Sequence, residues 1–191
     1  MPTENKGKII IISGISGSGQ DSVIEGLVDK GLPIERVVTT ITRNPRQGEA
    51  QGKPYYFISA EKFKEKLANN EFVEWAMVYG NYYGCTYQEI ERVKATGKIG
   101  IWRIDMQGVV TVKNKMPEVI TICIKPPSLK VAIERVRRRG LDSEEVLQKR
   151  VEKMREHFKS ENDSNYDFIM VNEEGKLDET VEKVKKIIEE N

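Results

Sequence analysis

A glycine-rich turn near the start of the chain has the residue types needed to bind a phosphate group. Residues 14–19 read Gly-Ile-Ser-Gly-Ser-Gly and follow a short apolar run that ends at Ser13. Between a strand and a helix, successive backbone N–H groups of such a turn can point at one anion. A turn without a ligand is the alternative. We therefore expect a phosphate site, here called the phosphate loop, formed by Gly14, Ser16, Gly17, Ser18 and Gly19.

The three residues after the phosphate loop depart from the usual pattern. That pattern has Lys and then Ser or Thr, whereas this chain has Gln20, Asp21 and Ser22. The lysine reaches the β- and γ-phosphates as a cation, and the hydroxyl ligates Mg²⁺. Gln20 can donate a hydrogen bond but has no charge, and loss of the charged contact costs about 3 kcal/mol, roughly a hundredfold in rate. Backbone phosphate binding is expected to persist, whereas catalysis is in doubt.

The elements that must position these residues alternate between strands and helices. A helical pattern runs from about Gln20 to Val28 and ends before Gly31 and Pro33. Apolar runs predict buried strands over Lys8–Ser13, Lys98–Ile104, Val119–Ile124 and Phe168–Val171. This alternation predicts an α/β fold in which helices cover both faces of a parallel sheet.

Two stretches differ from this alternation. Short alternating runs rich in Thr, Gly and aromatic residues predict a small β-rich insertion from about Val38 to Thr86. Within it, Ser59 is expected to cap a helix that runs to about Asn69. From Ser128 to Asn162 a helical hairpin is interrupted at Arg139-Gly140 and carries the basic turn ERVRRRG. We expect this hairpin to be a mobile flap.

Composition limits the class of protein. A length of 191 residues suits one α/β domain, and the net charge of +1 gives no general attraction to nucleic acid or an acidic membrane. Cys85 and Cys123 lack metal-ligand spacing, and the first residues lack the apolar core of a signal peptide. No apolar run approaches the roughly 20 residues that span a bilayer. We expect a reduced, cytoplasmic protein.

Five blocks of residues resemble the guanylate kinases in order and spacing. They are TTITRNPRQGE (39–49), GKPYYF (52–57), EWA (74–76), GNYYG (80–84) and DMQG (105–108). The resemblance extends from about Lys8 to the C-terminus. It implies a P-loop NTPase three-layer fold with a parallel five-stranded sheet, and transfer of a phosphoryl group from ATP to GMP, giving ADP and GDP, with Mg²⁺. The small-molecule partners would be ATP and GMP, and the protein would be a monomer or homodimer.

The resemblance also implies a division of the chain and a GMP site. The core with the phosphate loop would cover 1–37, the GMP-binding insertion 38–88, further core 89–127, the lid 128–157 and the last core segment 158–191. The implied GMP-binding residues are Thr39, Arg43, Arg46, Tyr55, Glu74, Tyr83, Cys85 and Asp105.

Each of these residue types suits a part of GMP. Arg43 and Arg46, separated by Asn-Pro, offer planar forks for a monophosphate, and the tyrosine hydroxyls complete its shell. Glu74 can accept hydrogen bonds from the N1–H and 2-amino groups of guanine, a donor pair that adenine lacks. Cys85 stands where the family has a hydroxyl, so we expect slightly relaxed guanine selectivity. The alternatives are that Arg43 and Arg46 lie on an ordinary solvated loop, that Tyr55 and Tyr83 only pack within their strands, and that Glu74 faces outward.

Lid arginines are implied at Arg135, Arg139 and Arg150, where they would surround the transferring phosphoryl group. The residues expected to act in catalysis are Gln20, Arg43, Arg139 and Arg150, and those expected to bind ATP are the phosphate loop, Gln20, Asp21, Ser22, Arg135, Arg139 and Asn172. Asn172 matches an adenine-side turn. A solvated basic helix face is the alternative for the lid arginines, and is the interpretation for Arg137 and Arg138.

A second departure from the family pattern lies at Arg103, where the family has an acidic residue. This strand end is expected to lie beside the first turn of the first helix, so Arg103 and Asp21 should be neighbours with swapped charges. Arg103 would then either lock Asp21 in an ion pair or extend to the β-phosphate in place of the lysine, leaving Asp21 as a Mg²⁺ ligand.

Two other functions are compatible with the sequence. One is a catalytically impaired module that binds GMP or a protein, similar to the guanylate kinase-like domains of membrane-associated scaffolds; the retained lid arginines argue against it. The other is a ribose 1,5-bisphosphate phosphokinase, because those relatives also have an aspartate after the loop lysine. They lack the guanine-binding blocks, so this substrate ranks below GMP.

Overall fold

The structure, a computed structural model, describes residues 7–78, 80–140, 144–160 and 163–191. Its strands are β1 Ile9–Ser13, β2 Ile34–Arg36, β3 Thr39–Ile41, β4 Ala50–Gln51, β5 Pro54–Phe57, β6 Phe72–Val78, β7 Asn81–Thr86, β8 Ile99–Arg103, β9 Ile120–Lys125 and β10 Phe168–Val171. Its helices are α1 Gln20–Asp29, α2 Ala60–Ala68, α3 Tyr87–Ala95, α4 Met106–Lys115, α5 Leu129–Arg139, α6 Glu144–Ser160 and α7 Leu177–Glu190, with a short 3₁₀ turn over Asp163–Asn165.

A parallel sheet of five strands, in the order β10-β9-β1-β8-β2, confirms the expected α/β fold. In register, Ile10 pairs with Ile120 and Ser13 with Cys123. All five residues of β1 are buried, because helices cover a parallel sheet on both faces and leave no side of the strand in water. The phosphate loop follows the carboxyl end of this central strand, where ligands bind in open α/β sheets.

The strand β2 was not predicted from the sequence. Its three residues, Ile-Glu-Arg, form neither an apolar run nor a clear alternation. It lies at the edge of the sheet and pairs in parallel with β8, Ile34 with Ile99. Glu35 accepts a hydrogen bond from Arg92 Nη1 at 2.7 Å, so a long-range contact compensates for the weak local pattern.

A second five-stranded sheet, ordered β4-β5-β3-β7-β6, forms the expected β-rich stretch. Strand β3 runs parallel to β5 and antiparallel to β7, and β7 is antiparallel to β6. As predicted, Ser59 caps α2, because its Oγ accepts the Lys62 N–H at 3.2 Å. Phe63 of α2 is fully buried and stacks on Phe72, with ring centroids 4.2 Å apart, which fixes the helix to the sheet.

The helical hairpin is present as α5 and α6. Helix α5 ends at Arg139 because Gly140 adopts a left-handed conformation with φ 62°, and α6 begins at Glu144. The predicted stretch through 141–143, and its end at 161–162, lie outside the described residues. Buried apolar side chains join the two helices to the phosphate loop; they are Ile15, Ala132, Val136, Leu147, Val151 and Met154.

The chain divides into two compact units. One comprises the described residues of Met1–Ile9, Pro33–Trp102 and Val110–Val119, and contains the second sheet. The other comprises Ile10–Leu32, Arg103–Val109 and the described residues of Ile120–Asn191, and contains the phosphate loop, α5 and α6. In the part of the chain that the structure describes, no helix is long and apolar enough to cross a membrane.

Candidate active site

The phosphate loop is a tight backbone turn between β1 and α1. Gly19 has φ 96°, and a Cβ at this position would lie 2.2 Å from Asn172 Nδ2, so only glycine fits. Gly19 is also the N-cap of α1, and no side chain of the described residues caps this helix. The first N–H groups of α1 therefore have no side-chain partner at the cap, which is the arrangement that binds phosphate at a helix N-terminus.

The side chain of Gln20 turns back onto the phosphate loop. Its Nε2 donates a hydrogen bond to the Gly14 carbonyl oxygen at 2.6 Å, which closes the loop across six residues. The hydroxyl of Ser18 is fully buried and, among the described residues, has no hydrogen-bond partner. A buried hydroxyl without a partner is costly, and a phosphate oxygen in the loop would satisfy it.

Arg103 and Asp21 are neighbours, as the sequence predicted. Arg103 Nε lies 3.3 Å from Asp21 Oδ1, at the carboxyl end of β8 and in the first turn of α1. The two side chains are 45% and 44% exposed. An ion pair this exposed contributes about 0–1 kcal/mol to stability, so it is a weak structural contact.

Asn172 and Arg135 hold the phosphate loop from its far side. Asn172 is buried, and its Nδ2 donates to the Ser18 carbonyl oxygen at 2.9 Å. Arg135 Nη2 donates to the Asn172 carbonyl oxygen at 3.0 Å, and Nη1 reaches the Gly17 carbonyl oxygen at 3.5 Å. Two predicted ATP-binding residues therefore support the backbone of the loop.

Glu174, which the sequence analysis did not single out, is the acidic partner of Arg135. Its Oε2 accepts from Arg135 Nε at 3.0 Å and Nη2 at 2.8 Å, and Arg135 lowers the pKa of this carboxyl group. Beside the pair lies a cavity of about 350 Å³. Its lining includes Gly17, Gly19, Ser22, Arg135, Arg139 and Asn172. Arg150 lies on α6, outside this lining.

The acceptor residues lie on one face of the second sheet. Thr39 pairs with Tyr55, Ile41 with Tyr83, and Glu74 with Cys85. Paired residues, and residues two apart on one strand, share a face of a sheet. The register therefore brings together five predicted GMP-binding residues from four strands, which are Thr39, Tyr55, Glu74, Tyr83 and Cys85.

Glu74 is buried on this face, with 7% exposure, rather than pointing into solvent. Its neighbour across the strands, Cys85, is fully buried, and its Sγ donates to the Thr86 carbonyl oxygen at 3.7 Å. Burial raises the pKa of the Cys85 thiol well above its usual value, with Glu74 and Glu89 adding to the effect. Cys85 is therefore a neutral, weak donor beside the carboxylate.

Arg43 is held by Glu49, a residue to which the sequence analysis gave no role. Arg43 Nη1 and Nη2 donate to the two Glu49 oxygens at 2.6 and 2.7 Å, and Arg46 N–H donates to Glu49 Oε2 at 2.7 Å. These contacts lower the Glu49 pKa from 4.5 to about 2, with Arg43 the largest cause. An acidic residue three positions after Arg46 in the same block was the signal that could have indicated this role.

The Arg43 guanidinium also contacts the aromatic side chains of the acceptor face. Its Cζ lies 5.4 Å from the Tyr55 ring centroid and 5.7 Å from that of Phe57. The pKa of Arg43 is raised, first by the hydrogen bond from its guanidinium to Glu49 and further by Tyr83. Arg46 is exposed. The structure therefore groups Arg43 with both tyrosines and fixes its orientation before any phosphate binds.

Asp105 belongs to the unit that contains the phosphate loop. Its Oδ1 accepts the Gly108 N–H at 2.9 Å, which places this carboxylate at the start of α4. Its predicted contact with GMP stays a prediction.

Comparisons with known proteins agree along nearly the whole chain. The profile of the family described as "Guanylate kinase" matches residues 6–191. A guanylate kinase of Prochlorococcus marinus subsp. pastoris is 38% identical over 185 residues, covering 97% of this chain and 98% of that protein. One from Caldanaerobacter subterraneus subsp. tengcongensis is 36% identical over 188 residues, covering 98% and 89%. The crystal structure of guanylate kinase from Anaplasma phagocytophilum matches with a TM-score of 0.67 and 29% identity, covering 96% and 85%.

Proposed function

The chain belongs to the guanylate kinase family, and from this premise we propose that it transfers the γ-phosphoryl group of ATP to GMP. The observation that carries the proposal is the acceptor face, on which a buried carboxylate, two tyrosines and a preoriented arginine share one side of a sheet. A phosphate oxygen of GMP attacks the γ-phosphorus, the bond from this phosphorus to the β-bridging oxygen breaks, and ADP leaves.

At the acceptor face, Glu74 selects the base and the arginines select the phosphate. Glu74 accepts from N1–H and the 2-amino group of guanine; adenine offers an acceptor at N1 and no 2-amino group, so it can make neither of these hydrogen bonds. Arg43, Arg46, Tyr55 and Tyr83 bind the monophosphate. Thr39 and Cys85 contact the guanine carbonyl, and Asp105 is proposed to assist at the base.

The donor nucleotide is proposed to bind at the phosphate loop and the adjoining cavity. The loop amides and Ser18 hydroxyl bind phosphate oxygens, and the cavity beside Asn172 takes the nucleoside. Arg139 and Arg150 are proposed to close on the transferring group as part of a lid over 128–157 and to stabilise the charge on its oxygens. Arg135 orients the loop and joins them when its contact with Glu174 opens.

A divalent cation, Mg²⁺, is proposed to accompany ATP. Among the described residues, no group of three or more Asp, Glu, His or Cys side chains is arranged to hold a metal ion. Mg²⁺ usually needs only one or two carboxylates in addition to phosphate and water, and Asp21 with the Ser22 hydroxyl fits this requirement. The ion would neutralise charge on the phosphates.

We also propose that the protein acts in the cytoplasm on these two nucleotides, as a monomer or homodimer.

The competing function, a module that binds GMP without turnover, is favoured by one observation: Gln20 has no charge and is bonded to the loop backbone.

Coupled measurement of ADP release tests the proposal, with GMP as substrate and AMP as the negative control. We expect GMP-dependent turnover and, for Glu74→Gln, a rise in KM for GMP of about a hundredfold, because the amide replaces one acceptor with a donor. The matched control is Glu65→Gln, which alters an exposed carboxylate paired with Lys62 on α2. Equal turnover of AMP, or an unchanged KM in Glu74→Gln, would contradict the proposal. GMP binding without turnover would identify the binding module.

A further inference from the structure

Gln20 supplies a hydrogen bond to the phosphate loop but not the positive charge that a lysine at this position would bring. Its amide bonds the Gly14 carbonyl oxygen at 2.6 Å and so maintains the closed turn. A lysine at this position would also bring a positive charge to the β- and γ-phosphates. Because no other atom of Gln20 can supply that charge, the cation must come from elsewhere if the donor phosphates are to be neutralised as strongly.

Among the described residues, the arginines that contact the phosphate loop or the first turn of α1 are Arg135 and Arg103, which belong to the same compact unit. Arg135 is bonded to Glu174 and to two backbone carbonyl oxygens, and its side chain is 13% exposed. Within the part of the chain that the structure describes, Arg103 has one ion-pair contact, at 3.3 Å to Asp21, and its side chain is 45% exposed. Arg103 is therefore the more easily redirected of the two toward an incoming phosphate.

We propose that Arg103 supplies the cation missing from the phosphate loop, and that Asp21 holds it beside the loop until the triphosphate arrives. The inference rests on the proposed function. Asp21 immediately follows Gln20 in the first turn of α1, so the pair places the guanidinium next to the amides that bind phosphate. A triphosphate carries several negative charges against one on Asp21, and the planar guanidinium binds phosphate through two parallel hydrogen bonds.

The movement of Arg103 from Asp21 to the triphosphate also gives Asp21 a second role, as a metal ligand. When Arg103 moves to the phosphates, the Asp21 carboxylate loses its cation and would be available as a ligand for a divalent cation that neutralises charge on the triphosphate. The loop lysine is thus replaced by two residues, with Gln20 keeping the backbone closed and Arg103 carrying the charge.

The test compares Arg103→Met, Arg103→Lys and Asp21→Asn, with Arg137→Met as the matched control because Arg137 is an exposed arginine of α5. Binding of the non-hydrolysable ATP analogue adenylyl imidodiphosphate is measured calorimetrically in EDTA. We expect at least a tenfold weaker affinity for Arg103→Met, partial recovery for Arg103→Lys and no change for Arg137→Met. Asp21→Asn, which frees the cation, should bind the analogue at least as tightly as the wild type.

If the ion pair between Arg103 and Asp21 only stabilises the fold, Arg103→Met and Asp21→Asn should change the affinity for the analogue in the same way. That result, or an unchanged affinity in Arg103→Met, would overturn the proposal. In turnover assays Arg103→Met should lower kcat about a hundredfold while KM for GMP stays constant. A kcat within threefold of the wild type would also overturn it. If the wild type itself shows no GMP-dependent turnover, the proposed function fails, and the analogue-binding comparison still decides the role of Arg103.

Discussion

At the scale of single residues, the acceptor site is oriented by a carboxylate that does not need to touch the substrate. Glu49 occupies one edge of the Arg43 guanidinium with two hydrogen bonds and also accepts the Arg46 N–H. Arg43 therefore loses little conformational freedom when it binds a phosphate through its remaining N–H groups, and such preorganisation strengthens binding. Glu49 is a positioning residue in this arrangement.

Replacing Glu49 with Gln tests that role. We expect about tenfold weaker GMP binding, because the neutral amide cannot accept hydrogen bonds at both positions. Glu71→Gln is the control, since Glu71 pairs with Lys66 at 2.6 Å outside the set of predicted GMP-binding residues. Unchanged GMP affinity in Glu49→Gln would contradict the role.

The ion pair between Arg43 and Glu49 also leads to a prediction about pH. Folding lowers the Glu49 pKa from 4.5 to about 2, so its contribution to stability is complete above about pH 4.5 and is lost as the pH falls through about 2. The difference in free energy of unfolding between wild type and Glu49→Gln should therefore be constant above pH 4.5 and shrink below it. Denaturant titrations at a series of pH values measure this difference; no change with pH would show that Glu49 is not paired in solution.

At the scale of elements, the phosphate loop and the α5–α6 hairpin share one apolar cluster. Ile15, in the loop itself, is buried with Val136 of α5 and Leu147 of α6. Arg135 adds a polar connection from α5 to the Gly17 and Asn172 carbonyl oxygens. The hairpin that the sequence indicated as a mobile flap is thus anchored at the loop. If the α5–α6 hairpin moves as a lid, it must either carry the phosphate loop with it or break the apolar and Arg135 contacts.

The substitution Ile15→Ala tests the coupling between the hairpin and the loop. Removing a buried isoleucine side chain costs about 2–5 kcal/mol, and here the cavity would form between the loop and the hairpin. We expect KM for ATP to rise while GMP affinity is unchanged. Ile188→Ala provides the control, because Ile188 is equally buried in α7 but lies outside the cluster. If both variants raise KM for ATP equally, general destabilisation is the cause.

At the scale of the whole molecule, the two predicted nucleotide sites are built within different compact units. The acceptor face lies in the unit containing the second sheet, whereas the phosphate loop, its cavity and Arg103 lie in the other. Apart from Asp105, each set of predicted binding residues is complete within its own unit. Binding of GMP alone should consequently be measurable without ATP.

Thermal unfolding checks this independence. A ligand at a concentration of 100 Kd stabilises the folded state by about 2.7 kcal/mol. For a chain of this size each kcal/mol raises the unfolding midpoint by roughly 2–4 °C, so GMP alone should raise it by about 5–10 °C. AMP should have little effect, and Glu74→Gln, with the expected hundredfold weaker binding, should reduce the shift caused by GMP to about 1–2 °C. An equal shift with AMP would mean that the acceptor face does not select guanine.

Much of the fold and part of the site could be predicted from local sequence. The apolar runs located β1, β8, β9 and β10 to within one residue at each end, because strands buried on both faces have a continuous apolar signature. The short β2 could not be found this way, since its pairing with β8 depends on long-range contacts. Glu174 was missed for the same reason, because its partner Arg135 lies 39 residues away along the chain. Glu49 lies only six residues from Arg43, and the signal of an acidic residue three positions after Arg46 was not used.

Local residue patterns and motifs therefore established the order of elements, the phosphate loop with its missing lysine, the family, and the residue types available to bind GMP. Apart from the neighbourhood of Arg103 and Asp21, which the sequence had predicted, the meeting of side chains was settled by the tertiary fold. The strand register placed five acceptor residues on one face, and packing of chain-distant segments paired Arg135 with Glu174. The physical reason is that spacing along the chain determines local geometry, whereas contacts between distant segments depend on the packing of the whole fold.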